Sequence, residues 1–62
     1  MVTNVDRENT TKAAQCAAML SSDLKAVAAS DDPLLAELGQ EALELAIALE
    51  KRLERLESLV SE

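Results

Sequence analysis

Ala42-Leu43-Glu44-Leu45-Ala46-Ile47-Ala48-Leu49 holds one polar residue, Glu44, in a run otherwise made of alanine, leucine and isoleucine. At about 3.6 residues per turn, Leu43, Leu45, Ile47 and Leu49 point in several directions around a helix, so no single stripe contains them. A helix that is apolar nearly all round is normally buried on more than one side. One further helix from a chain of 62 residues cannot cover such a surface. The stretch therefore predicts contact with additional chains.

Reading outward, the surrounding helix is expected to run from Pro33 to about residue 61. One heptad frame takes Leu35, Gly39, Ala42, Ala46, Leu49, Leu53, Leu56 and Val60, and a neighbouring stripe adds Leu34, Leu38, Leu45 and Leu59. The two stripes merge over the Ala42–Leu49 run and widen the apolar face there. Gly39 lies inside this helix at a cost near 1 kcal/mol relative to alanine. It is either a tolerated glycine or the point where another helix backbone crosses closely. Beyond Leu49 the composition changes. Glu50, Lys51, Arg52, Glu54, Arg55 and Glu57 alternate in sign around Leu53, Leu56 and Val60, as in a coiled-coil seam with flanking charges. In this frame Arg52 and Glu57 take g and e positions that would serve a parallel partner helix, although other geometries can use the same charges.

Upstream, Ser30-Asp31-Asp32-Pro33 stops one helix and starts the next. Asp32 is suited to the N-cap and Pro33 to the first helical position, and the acidic pair complements the positive end of the second helix. So short a connection makes the helices antiparallel neighbours. The first helix is expected over about residues 4–29. It opens on a capping box formed by Thr3 and Asp6, with Asn4 as an alternative cap. Its heptad seam reads Thr10, Ala13, Ala17, Leu20, Leu24 and Val27. Alanine in the first half of that seam lets helix backbones approach toward the short end of the ~8–10 Å interaxial range.

The predicted fold is therefore all-α. A two-helix antiparallel hairpin forms one domain over residues 1–62 and dimerises into a four-helix bundle. Its interface is assigned to Ala13, Ala17, Leu20, Leu24, Leu45, Leu49, Leu53, Leu56 and Val60. The composition supports oligomerisation by removing other ways to stabilise a short chain. A single cysteine gives no intrachain disulfide, histidine is absent, and so are Phe, Tyr and Trp. Apolar residues make up 48% of the chain, too many for a disordered tail.

Chemistry-bearing patterns are sparse. Glu37, Glu41 and Glu44 share a helix face, but carboxylate-bridged metal sites in bundles add a Glu-x-x-His pair. They are read as a solvated acidic face, and no metal or cofactor is expected. Cys16, among Ala13, Ala14, Ala17 and Ala18, is read as a small buried apolar group. No Ser/His/Asp set, phosphate-binding glycine loop or catalytic acid pair can be assembled, so enzymatic activity is not expected. Twelve acidic against 6 basic residues give a net charge of −6, which repels phosphate backbones and anionic lipid. The apolar run falls far short of the ~20 residues of a membrane span. Residues 1–12 show no apolar secretory core, and the cytoplasm is the expected compartment.

In length and hairpin layout the chain resembles the Rop-like plasmid copy-number regulators, antiparallel four-helix dimers that bind RNA. That resemblance implies a regulator bound to nucleic acid, whereas Arg7, Lys12, Lys25, Lys51, Arg52 and Arg55 lie scattered among twice as many acids. The Ala42–Ala48 stretch is also similar to the Ala-, Leu- and Ile-rich second helix of small helical-hairpin co-chaperones of bacterial type III secretion. That likeness implies an apolar helix face packed on a different, helical protein. The expected function is a small non-catalytic interaction, adaptor or regulatory protein acting as a homo-oligomer.

Overall fold

The computed structural model describes residues 1–61. Glu62, the last residue of the predicted domain, lies outside the described residues. Two α-helices, α1 over Asn4–Ala28 and α2 over Pro33–Val60, pack against each other as a hairpin. Its principal dimensions are 47 × 14 × 10 Å. The fold is a layer one helix thick, so each helix has a neighbour on one side only.

Local chemistry sets the helix ends. The Thr3 hydroxyl accepts a hydrogen bond from the Asp6 N–H at 3.0 Å, and the Asp6 carboxylate accepts from the Thr3 N–H at 3.0 Å. This reciprocal capping box satisfies two of the backbone donors that a helix start leaves unpaired. The carboxylate of Asp32 accepts from the Leu35 N–H at 2.9 Å, and Pro33 occupies the first turn, where its missing N–H costs nothing. Helix α1 ends one residue before the expected Ala29, whose N–H still donates to the Lys25 carbonyl at 3.1 Å. Between the helices Ser30 Oγ accepts from the Asp32 N–H at 3.1 Å, and the chain reverses without any residue at positive φ.

At the open end of the hairpin, Arg7 Nε donates to the Val60 carbonyl at 2.7 Å and Nη1 donates to Asn4 Oδ1 at 3.0 Å. A cation thereby meets the negative end of α2 and satisfies one of its last carbonyls. At the other end Gly39 lies against Val27 and Ala28. These two anchor points fix the register. Carried along the pair, it sets Leu24 level with Leu43, Ser21 with Ala46, Ala17 with Glu50, Ala14 with Leu53 and Thr10 with Glu57.

The contact line differs from the predicted frame. In α1 it follows Thr10, Ala14, Ala17, Ser21, Leu24 and Ala28, with Val27 beside it, instead of passing through Ala13 and Leu20. In α2 it follows Ala36, Gly39, Leu43, Ala46, Glu50, Leu53, Glu57 and Val60 instead of passing through Leu35, Leu49 and Leu56. Each helix is turned by about 50°, half the angle between successive residues. The physical reason is the close approach at Gly39. Once the backbones meet there, small side chains fit between the axes, and Leu20 or Leu49 would hold the helices apart. Ser21 is 4% exposed and its Oγ has no hydrogen-bond partner among the described residues, so the seam uses its small size.

The close crossing at Gly39 is the sharper of its two sequence readings. A Cβ there would stand 2.7 Å from Val27 Cγ1 and 3.0 Å from both Ala28 N and Val27 C. Backbone atoms cannot rotate aside, and a β-branched valine in a helix has little rotamer freedom. Alanine would gain about 1 kcal/mol of helix propensity but force the helices apart, at about 1–3 kcal/mol. Gly39→Ala is therefore expected to lower the stability by up to about 2 kcal/mol in denaturant unfolding. A variant more stable than wild type would mean that the seam opens at negligible cost.

Candidate protein–protein interface

The turn of each helix that brings small residues into the seam leaves large ones outside it. Within the central run Leu43 is 7% exposed, whereas Leu45 is 75% exposed and Ile47 and Leu49 are also accessible. One neighbouring helix covers one of these four side chains. On a helical projection, Leu35, Ala42, Leu49 and Leu56 form a stripe beside the seam. Leu38, Leu45, Arg52 and Leu59 form the next stripe round, and the leucines of both stripes are exposed. In an antiparallel pair, the same side of α1 presents Ala13, Leu20 and Val27.

The opposite side of the hairpin is mainly polar, with the accessible Ile47, seven residues before Glu54, as an exception. A shallow groove there is lined by Thr11, Ala14, Gln15 and Ala18 from α1 and by Glu50, Glu54 and Glu57 from α2. The two flanks thus differ sharply: one carries carboxylates and small polar groups, the other carries leucines. An isolated apolar side chain on a surface needs no explanation, but a continuous stripe along a helix marks a contact surface.

The predicted interface residues divide between two places. Ala17 is buried, and Leu24, Leu53 and Val60 are partly buried, along the seam between the two helices of one chain. Ala13, Leu20, Leu45, Leu49 and Leu56 lie exposed on the leucine flank. Sequence reasoning missed the roles of Arg7, Ser21, Glu50 and Glu57. The glutamates were read as flanking charges, yet both are partly buried on the line that faces α1. Glu57 therefore faces α1 of its own chain, while Arg52 is exposed. Thr10 with Glu57, set level by the register, is a polar layer that hydrophobic periodicity alone cannot find.

Cys16 is exposed, which corrects its reading as a buried apolar group. The turn of α1 that buries Ala14 and Ala17 carries position 16 away from α2. No set of three or more His, Cys, Asp or Glu residues among the described residues is placed to hold a metal ion. No helix among them is long and apolar enough to cross a membrane. No protein-family model, curated protein or solved structure matches the chain.

Proposed function

We propose that the protein is a small non-catalytic interaction module that acts as a homo-oligomer, most simply a dimer of hairpins forming a four-helix bundle. The observation that carries this reading is the leucine flank. Leu35, Leu38, Leu45, Leu49, Leu56 and Leu59 remain accessible along one side of α2 after the hairpin has formed. A flat pair of helices has no internal means of covering them, and a second layer does. The seam and the flank are separated by roughly 100° around α2, close to the right angle at which a helix in a square bundle meets its two neighbours. A different helical protein seated on the same flank is the competing occupant.

Folding of such a module is linked to association, so the melting temperature is expected to rise with protein concentration. The check is thermal unfolding over a roughly hundredfold range of concentration, a span in which mass-action linkage is readily seen, with the mass in solution measured alongside. A compact monomer with a constant melting temperature would end the self-association reading. An aggregating or partly unfolded chain would point to a missing heterologous partner instead.

A further inference from the structure

The charges beside the leucine flank are segregated along α2. Bordering the leucine stripes, its first half presents Glu41 and its second half presents Arg55, with Arg52 inside a stripe, all exposed, while Glu37, Glu44 and Lys51 are exposed farther round the helix. The remaining glutamates of the second half are directed elsewhere. Glu50 and Glu57 are partly buried on the seam side, and all three of Glu50, Glu54 and Glu57 line the opposite groove. Among the described residues, the outer edge of the flank therefore runs from acidic Glu41 to basic Arg55. Resting on the self-association proposed above, we infer that two copies pair through α2 in antiparallel orientation, the acidic half of each against the basic half of the other.

The leucines and the charges require the same register. Antiparallel packing with Leu45 of one copy against Leu49 of the second also brings Leu38 to Leu56 and Leu35 to Leu59. The one long polar side chain in the stripes, Arg52, then meets Ala42 of the second copy. Alanine leaves room for the arginine stem to cross the interface and for its guanidinium to reach the nearby carboxylate of Glu41. In the same register Glu41 flanks the core beside Arg55 of the second copy. The two-fold axis repeats every pair, as an isologous contact requires. A parallel arrangement would oppose Arg52 to Arg52 within the apolar core and would separate Glu41 from Arg55, which is unfavourable.

The α1 side of the flank is less suited to α2. Ala13, Leu20 and Val27 form one apolar stripe, but the adjacent stripe of α1 is Asn9, Cys16 and Asp23. Only α2 carries two adjacent leucine-rich stripes, bordered by Glu41 in its first half and by Arg55 in its second.

Charge reversal tests the orientation. The dissociation constant of the dimer is measured by sedimentation at low salt for wild type, Glu41→Arg, Arg55→Glu and the double variant. Each single change turns attraction into repulsion at two symmetry-related places, so both should weaken the dimer roughly tenfold, from several sub-kilocalorie terms added together. The double variant should return to within roughly twofold of wild type. At about 1 M salt the differences should shrink, because the Debye length falls to about 3 Å. Glu54→Arg, on the groove side, should not weaken the dimer. Glu41→Arg is the most informative variant, since it reduces the net negative charge and would promote association if overall charge governed it. Single variants that bind like wild type, or a double variant weaker than either single, would overturn the antiparallel pairing while leaving self-association intact. A wild-type chain that is monomeric throughout would overturn the self-association reading itself.

Discussion

Leu43→Ala is expected to destabilise the hairpin by about 2–5 kcal/mol, the range for removing a buried leucine side chain and leaving a cavity. Leu43 is the largest of the buried apolar side chains, the others being Ala17 and Ala46. A layer one helix thick offers few side chains able to move into the space. Alanine is the better helix former, so the loss must arise from packing and not from the backbone. A chain of this size has little stability to spare, and a change of that size should lower its helix content at moderate temperature. Leu45→Ala, two residues away, provides the contrast. Its side chain is 75% exposed in the hairpin, so within one chain the change should stay within about ±0.5 kcal/mol. Any larger effect of Leu45→Ala must come through association and must vary with protein concentration. Denaturant unfolding of both variants at several concentrations separates the two contacts. Equal losses for Leu43→Ala and Leu45→Ala at high dilution would contradict the seam described above.

The helices and the hairpin were legible because their signals are local. Thr3 with Asp6, and Asp32 with Pro33, are short-range chemistry that acts on the backbone next to them. The structure forms the corresponding bonds. The facing of the helices was less legible, and α2 shows why. Hydrophobic periodicity locates the centre of the whole apolar surface, and that surface spans the seam and the leucine flank together. The frame through Leu35, Leu49 and Leu56, which also takes in Gly39, Ala46, Leu53 and Val60, therefore falls between the seam and the flank and coincides with neither.

The information that places the seam lies in small residues. Gly39, Ala36 and Ala46 in α2, and Ala14, Ala17, Ser21 and Ala28 in α1, recur at spacings of three, four and seven. A search for close approach instead of hydrophobicity would have selected them. Glu50 and Glu57 would still have been missed. Nothing in their own residue type distinguishes a carboxylate whose stem covers an alanine seam from one on a free surface. Arg7 is a different kind of omission. Its bond to the Val60 carbonyl joins residues far apart in sequence, and only a fixed register brings them together.

Ala17→Leu carries the second large expected effect, because it challenges the small-residue seam at its middle. Ala17 is 5% exposed, one seam position from Ser21 and Ala14, and the register carried from Arg7 and Gly39 sets it level with Glu50 of α2. The added carbons start from a side chain already packed between the helices. They must push α2 outward or displace the partly buried stem of Glu50, and widening at this point also strains the close crossing at Gly39. The expected cost is about 3 kcal/mol, the upper part of the range for overpacking a well-fitted contact. Alanine and leucine differ little in helix propensity, so the backbone contributes almost nothing to the comparison. Ser22→Leu is the matched control. Ser22 is exposed off the contact line, on the groove side of α1, and leucine there should change the stability by no more than about 0.5 kcal/mol. Denaturant unfolding at one protein concentration, with the mass in solution measured for both variants, reads the difference. Loss of stability or a changed oligomer for Ala17→Leu alone is the expected result. Two variants of equal stability and unchanged mass would mean that the helices do not meet along Ala14, Ala17 and Ser21, and the register built on Gly39 and Arg7 would fail with them.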